Sequence, residues 1–148
     1  MFTRKNTVLA VVTLILVFAT QSSASAPVLP NPILYFLGQE YIVIGGKNIT
    51  RYHFDVLNKD MYPDELFVAS PALPPCGSNT KSARTWVDLY DQSGKRLNGF
   101  CALHKSSDLN GIWFALESDM VPPSWIYIEL NDRKTNTKYK SNLADTTL

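Results

Sequence analysis

The sequence predicts an antiparallel β-sandwich of about seven or eight short strands, immunoglobulin- or fibronectin-III-like in architecture. Three observations predict it. Short segments alternate between apolar and polar residues, and turns rich in glycine and proline separate them at near-regular spacing. No segment of ten or more residues keeps a helical period. The length of 148 residues fits one such domain.

The strands are predicted in order from these patterns. Residues 41–44 form an apolar strand, and Gly45 and Gly46 follow as a hairpin turn, because glycine takes positive φ without steric cost. Residues 49–57 alternate apolar and polar side chains, as a half-buried strand does. The remaining predicted strands are residues 66–69, 85–91, 96–103, 112–116, 125–130 and 138–142.

The connections carry the expected turn residues. Gly94 can take the left-handed position in the loop 92–95 between two strands. The proline-dense link 71–77 cannot donate regular ladder hydrogen bonds, so we expect it along an edge. A Pro-rich N-terminal segment begins the domain, and the tail 144–148 is expected to fray.

The first 26 residues have the order of a secretory signal peptide. Positive charges at Arg4 and Lys5 precede an apolar run over 8–18, and small residues follow. Cleavage is predicted after Ala24 or Ala26, and residues 27–148 are predicted to form a single β-sandwich domain. The apolar run is too short for a spanning helix, so we expect a secreted or periplasmic protein with no membrane span after signal removal.

Cys76 and Cys101 are the two cysteines of the chain. In an oxidising compartment a single pair predicts one structural disulfide. Closing a loop of about 25 residues would add roughly 3 to 4 kcal/mol of stability.

The charge is nearly balanced once the leader is removed. The leader carries two of the fourteen Lys and Arg and none of the thirteen Asp and Glu. No basic run suited to phosphate groups remains, so we expect no nucleic acid partner.

Strand alternation predicts an aromatic surface on one sheet. In 85–91, Val87 and Leu89 share the inner face. Asp88 indicates that the opposite face contacts solvent, because burying a carboxylate in an apolar core is costly. The strand 125–130 alternates in the same way. The predicted outward, ligand-binding set is Trp86, Tyr90, Trp125, Tyr127, Phe100, Asp88 and Glu129.

This surface supports more than one interpretation. Exposed rings suit the flat faces of sugars or an aromatic-rich protein interface, so the function predicted is a non-catalytic binding or interaction module for an unknown protein or glycan. A carbohydrate-binding module is the alternative. The ordinary structural interpretation is that the rings only stabilise the sheet or are covered by residues 27–37.

Catalytic and metal sites have weaker support in the sequence. No common catalytic motif occurs, and a small hydrolase would need His53 or His104 beside two carboxylates. No cofactor or metal is predicted, since the two histidines lack a ligand-type spacing. Asn48 begins a glycosylation sequon that matters only in a eukaryotic host. The ligand, the host and the oligomeric state stay open.

Four segments carry a resemblance to known proteins. They are Leu73-Pro74-Pro75-Cys76-Gly77, Arg84-Thr85-Trp86-Val87-Asp88, Gly99-Phe100-Cys101-Ala102-Leu103 and Trp113-Phe114-Ala115. Together they resemble small secreted bacterial domains of uncharacterised function. The resemblance implies a secreted bacterial β-sandwich and no particular reaction or ligand.

Overall fold

The strands of this protein form two antiparallel sheets, and no α-helix occurs in the part of the chain that the structure describes. The structure is a computed structural model that describes residues 28–68, 75–76, 79–101 and 103–147. The strands are β1 (Leu34–Ile44), β2 (Lys47–Val56), β3 (Pro75–Cys76), β4 (Asn79–Ser82), β5 (Thr85–Asp91), β6 (Arg96–Phe100), β7 (Ile112–Glu117), β8 (Trp125–Asp132), β9 (Thr137–Lys140) and β10 (Ala144–Asp145). Short 3-10 helices cover Lys59–Met61, Asp64–Leu66 and Ser106–Asn110.

The two sheets have three and five strands and are arranged as a β-sandwich. The three-stranded sheet has the order β1-β2-β7. In the five-stranded sheet, β5 lies between β6 and β8, and β9 and β10 follow one another along the other edge of β8. A small separate ladder joins β3 to β4.

The core fills the space between the sheets. Strand alternation places every second residue of β2, β5, β7 and β8 inside, and the sequence pattern predicts this for β2, β5 and β8. Tyr52 stacks on Phe114 with ring centroids 4.7 Å apart. The buried cluster also contains Leu34, Phe54, Val56, Tyr62, Leu66, Phe67, Val87, Leu89, Leu103, Leu109, Ile112, Ile126, Ile128, Leu130 and Ala144.

Two asparagine side chains join the sheets at their edges. Asn142, next to β10, accepts a hydrogen bond from the Leu34 amide at 2.8 Å and donates one to the Leu34 carbonyl at 2.9 Å. On the opposite side Asn98 of β6 donates to the Trp113 carbonyl of β7 at 3.0 Å. Each amide thus satisfies backbone groups that a neighbouring strand would otherwise satisfy.

The first strand is longer than the sequence predicts. It begins at Leu34, and its register with β2 shifts between Phe36 and Gly38, where Gly38 has φ 142°. This is the geometry of a β-bulge, and glycine is favoured there because other residues rarely adopt that φ. The Gly45-Gly46 hairpin turn is as predicted, with φ 57° and 79°.

Two expectations about segment ends differ from the structure. The apolar residues 66–69 were predicted as a strand, but Leu66 ends a 3-10 helix that begins after Pro63, and residue 69 lies outside the described residues. The tail was expected to fray. Instead β10 pairs with β8, and the Thr146 amide donates to the Ser124 carbonyl at 3.0 Å. The predicted leader also lies outside the described residues.

Candidate binding face of the five-stranded sheet

Strands β5 and β8 place the predicted aromatic residues on one outer face. Their register sets Asp88 opposite Glu129 and Tyr90 opposite Tyr127, while the intervening residues are fully buried in the core. We call this surface the aromatic face and define it by Trp86, Asp88, Tyr90, Trp125, Tyr127 and Glu129.

Asp88 is the polar centre of the aromatic face. Its carboxylate accepts hydrogen bonds from Trp86 Nε1 at 2.8 Å and from Arg96 Nε at 2.7 Å. Asn131 Nδ2 approaches the same carboxylate at 3.4 Å. These donors compensate for the burial of the charge, since Asp88 is only 9% exposed.

Gly99 makes room for the ion pair between Arg96 and Asp88. A Cβ at this position would lie 1.9 Å from Arg96 Nη2 and 3.0 Å from Asp88 Oδ1. A side chain at position 99 would displace the guanidinium, so the present position of Arg96 over β6 depends on glycine there.

The rings of the aromatic face are in contact with one another and with cations. Tyr90 and Tyr127 stack with centroids 5.2 Å apart, and Lys140 Nζ lies 4.0 Å from the centroid of Tyr127. The guanidinium of Arg133 lies 4.7 Å from the centroid of Trp86. Such cation–π contacts stabilise the ring positions and leave positive charge at the surface.

Two titrating groups reflect this environment. Burial, together with the negative charges of Asp88 and Glu129, raises the pKa of Tyr90. The hydrogen bond to Glu129, at 3.2 Å, raises the pKa of Lys138. The tyrosine is therefore neutral and the lysine charged over the whole physiological range.

Trp125 is the most open ring of the aromatic face. It is 43% exposed and lies at the start of β8, beside Gln92, whose backbone N–H donates to the Trp125 carbonyl. Trp86, Tyr90 and Tyr127 are half-buried.

Phe100 does not belong to this surface, contrary to the sequence-based prediction. It pairs with Val87, packs against the core and contacts Trp113 edge-on at 6.0 Å. The reason is a register shift in β6, where Leu89 pairs with Asn98 but Tyr90 pairs with Arg96. Leu97 is the extra residue of a bulge, and it reverses the inward and outward positions that simple alternation predicts.

Residues 28–37 do not cover the aromatic face. The first residues of β1 pair with β2 in the other sheet, and the Pro30 carbonyl accepts a hydrogen bond from Tyr62 at the end of the core. The alternative that this segment covers the aromatic rings therefore does not hold for residues 28–37.

The cations of this surface do not follow from the sequence pattern. Arg96, Arg133, Lys138 and Lys140 come from three separate segments, and each contacts a ring or a carboxylate of β5 or β8. The alternation of lysines in the last predicted strand was the one available signal, because it places Lys138 and Lys140 on the same face.

The histidines and the sequon lie on the other sheet or in loops. His53 Nε2 is 3.6 Å from Glu40 Oε2, and His104 lies in the exposed loop before the third 3-10 helix. Asn48 is exposed near the first hairpin. Within the described ranges, no group of three or more His, Cys, Asp or Glu residues is placed to hold a metal ion.

Comparisons with known proteins returned no relative. No protein-family model matches the chain, and no curated protein or solved structure gives a significant match. Across the described residues, no helix has the length and apolar character needed to cross a membrane.

Proposed function

We propose that this protein is a non-catalytic binding module and that the aromatic face is its contact surface. The observation that carries the proposal is the fixed arrangement of the outward side chains of β5 and β8. Asp88 is held by Trp86 and Arg96, and Tyr127 is held between Tyr90 and Lys140. A surface whose side chains are already ordered loses little conformational entropy when a ligand binds.

The carboxylates of this surface support binding rather than acid–base catalysis. Asp88 is engaged by Arg96, and Glu129 is engaged by Lys138. A general acid or base needs a free path to substrate, whereas both of these carboxylates are occupied by cations. His53, on the other sheet, has Glu40 as its neighbouring carboxylate.

The proposed location is outside the cytoplasm, either secreted or periplasmic. The support is the leader pattern and the single cysteine pair in the sequence. Cys101 directly follows β6, and Cys76 lies in β3, so a disulfide between them would fix the β3–β4 ladder to the five-stranded sheet. We also propose that the sandwich is immunoglobulin-like in architecture.

Carbohydrate is the ligand class that a specific observation favours. Trp125 and Tyr127 are two residues apart on β8, so their rings follow the same side of one strand. Rings in such a row suit the apolar faces of successive sugar units. The cations at Lys140 and Arg133 favour sugars that carry carboxylate or sulfate groups.

Affinity electrophoresis of the mature protein in gels that contain a neutral or a uronate-rich polysaccharide tests this proposal. We expect the acidic polysaccharide to retard the wild type and Trp125→Ala to abolish most of the retardation. Tyr35→Ala is the matched control, because Tyr35 is a similarly exposed aromatic residue on the other sheet. Retardation that is equal in both variants, or absent in the wild type, would contradict the carbohydrate proposal.

A further inference from the structure

The second half of β1 presents an open strand edge. Within the described residues, β1 pairs with β2 along one side, and on its other side Asn142 binds the backbone of Leu34. The bulge at Gly38 follows, and from there to Ile44 no described segment lies in register with β1. We call residues 38–44 the open half of β1. Its backbone N–H and C=O groups are a template for another strand.

Beyond the bulge at its start, the open half has few of the features that prevent edge pairing. It contains no lysine or proline, and its one charged residue, Glu40, is bound by Arg51 at 2.7 Å. Strand β9, the comparable edge of the other sheet, carries Lys138 and Lys140 within four residues. Lysine on an edge strand discourages pairing with another strand. The β9 edge has this protection, whereas the open half of β1 does not.

Residues 41–44 of the open half are apolar, and three of these four side chains are exposed. Tyr41 is 72% exposed and Val43 is 69% exposed, and both lie on the side of the sheet that continues the core face, opposite Thr50 and Asn48. A groove of about 260 Å³ opens beside them, lined also by Ile42 and Ser118.

We propose that a second copy of this chain occupies this edge, through antiparallel pairing of the two open halves about a two-fold axis. Such an interface is self-complementary, because each strand supplies the same donors and acceptors. The two-fold axis is perpendicular to the sheet. Each face of the sheet therefore continues into the second copy, and paired residues point to the same face.

Charge restricts the register of this pairing. Setting Glu40 opposite Glu40 of the second copy places like charges in direct contact, which is unfavourable. The registers centred on Tyr41 or on Ile42 instead bring apolar residues together at the axis. In the first of them the two tyrosine rings meet beside the groove that Tyr41, Val43 and Ser118 line.

The hairpin of β1 and β2 is less suited to binding a lipid surface than to binding a second copy of the chain. Insertion would place the unpaired backbone groups of the edge in hydrocarbon, where they have no hydrogen-bonding partner. Strand pairing satisfies those groups and buries the apolar side chains in the same step.

Sedimentation equilibrium of the mature protein over a concentration range of about 1 to 200 μM tests the proposal. We expect a reversible monomer–dimer equilibrium, with the dissociation constant raised about tenfold or more by Val43→Lys, because each dimer carries the new charge twice. Val121→Lys is the matched control, since Val121 is 90% exposed and lies in the loop before β8. We expect this variant to dimerise like the wild type.

Hydrogen exchange locates the interface directly. Those amides of residues 39–44 that point away from β2 should gain protection as concentration rises, whereas the outward-pointing amides of β9 should not. A monomer over the whole range, a dimer insensitive to Val43→Lys, or open-ended growth beyond the dimer would overturn the proposal, as would a monomer that binds lipid vesicles through this hairpin. Trp125→Ala should dimerise normally, so failure of the proposed carbohydrate binding leaves this result unaffected.

Discussion

The buried carboxylate of Asp132 joins the segment before β5 to the end of β8 and the turn that follows it. It accepts two hydrogen bonds from the guanidinium of Arg84, at 2.9 and 2.8 Å, one from the Lys134 amide and one from the Thr135 hydroxyl. Burial opposes the charge of Asp132, but the hydrogen bonds from Arg84, Thr135 and Lys134 outweigh it and lower the pKa. The charged form is therefore favoured by the folded state.

Replacing Asp132 by alanine should lower the free energy of unfolding by about 3 kcal/mol at neutral pH, because Arg84 then loses its buried partner. Because the folded pKa of Asp132 is depressed, its contribution is present above the unfolded pKa of about 4 and is lost as pH falls through the folded value. Denaturant unfolding at a series of pH values should show the difference between wild type and variant shrinking in acid. Asp119→Ala, at an exposed turn, is the control and should change stability by less than about 0.5 kcal/mol. A difference that is constant with pH would contradict this account.

Single residues also show what the sequence could predict about the candidate site. The outward positions of Trp86, Asp88 and Tyr90 follow from alternation with buried Val87 and Leu89, because a carboxylate between apolar residues identifies the wet face. The partners of Asp88 could not be predicted. Arg96 reaches it from another strand and over Gly99, a contact that depends on register rather than on local pattern.

At the scale of elements, bulges set the limit of prediction. Regular alternation gives the correct faces for β5 and β8 but the wrong face for Phe100, because Leu97 is an extra residue in β6. The bulge at Gly38 has the same effect in β1, where it places Tyr41 and Val43 on the side of the core. A bulge depends on how two strands meet, so one strand's sequence does not reveal it.

The bulge in β1 should depend on glycine at position 38. Gly38 has φ 142° and no heavy atom within 4 Å of an added Cβ, so Gly38→Ala costs backbone strain alone. We expect a loss of about 1 to 2 kcal/mol in the free energy of unfolding. Gly111→Ala is the matched control, since Gly111 has φ −105° and its nearest neighbour is at 3.5 Å. Equal stability of the two variants would mean that the φ of Gly38 is not constrained.

At the scale of the whole molecule, the edges of the sandwich determine which parts of it can pair with other molecules. Asn142 and Asn98 join the two sheets on opposite sides, and lysines occupy the β9 edge. The open half of β1 and the aromatic face belong to different sheets, so the proposed dimer would leave both aromatic faces free. Two linked faces can bind a repeating ligand more tightly than one face does.

The proposed disulfide acts at the same scale, because it would link the β3–β4 ladder to the end of β6. If Cys76 and Cys101 are joined, the folded protein has no free thiol, and the bridge constrains a loop of about 25 residues in the unfolded chain. Replacing both cysteines by serine should then lower the free energy of unfolding by roughly 3 to 4 kcal/mol. Reductant should destabilise the wild type by a similar amount and leave the double variant unchanged, as measured by denaturant unfolding. Titration of two free thiols in the purified, folded protein would contradict the pairing. A loss in the double variant that reductant does not reproduce would instead assign the effect to side-chain packing.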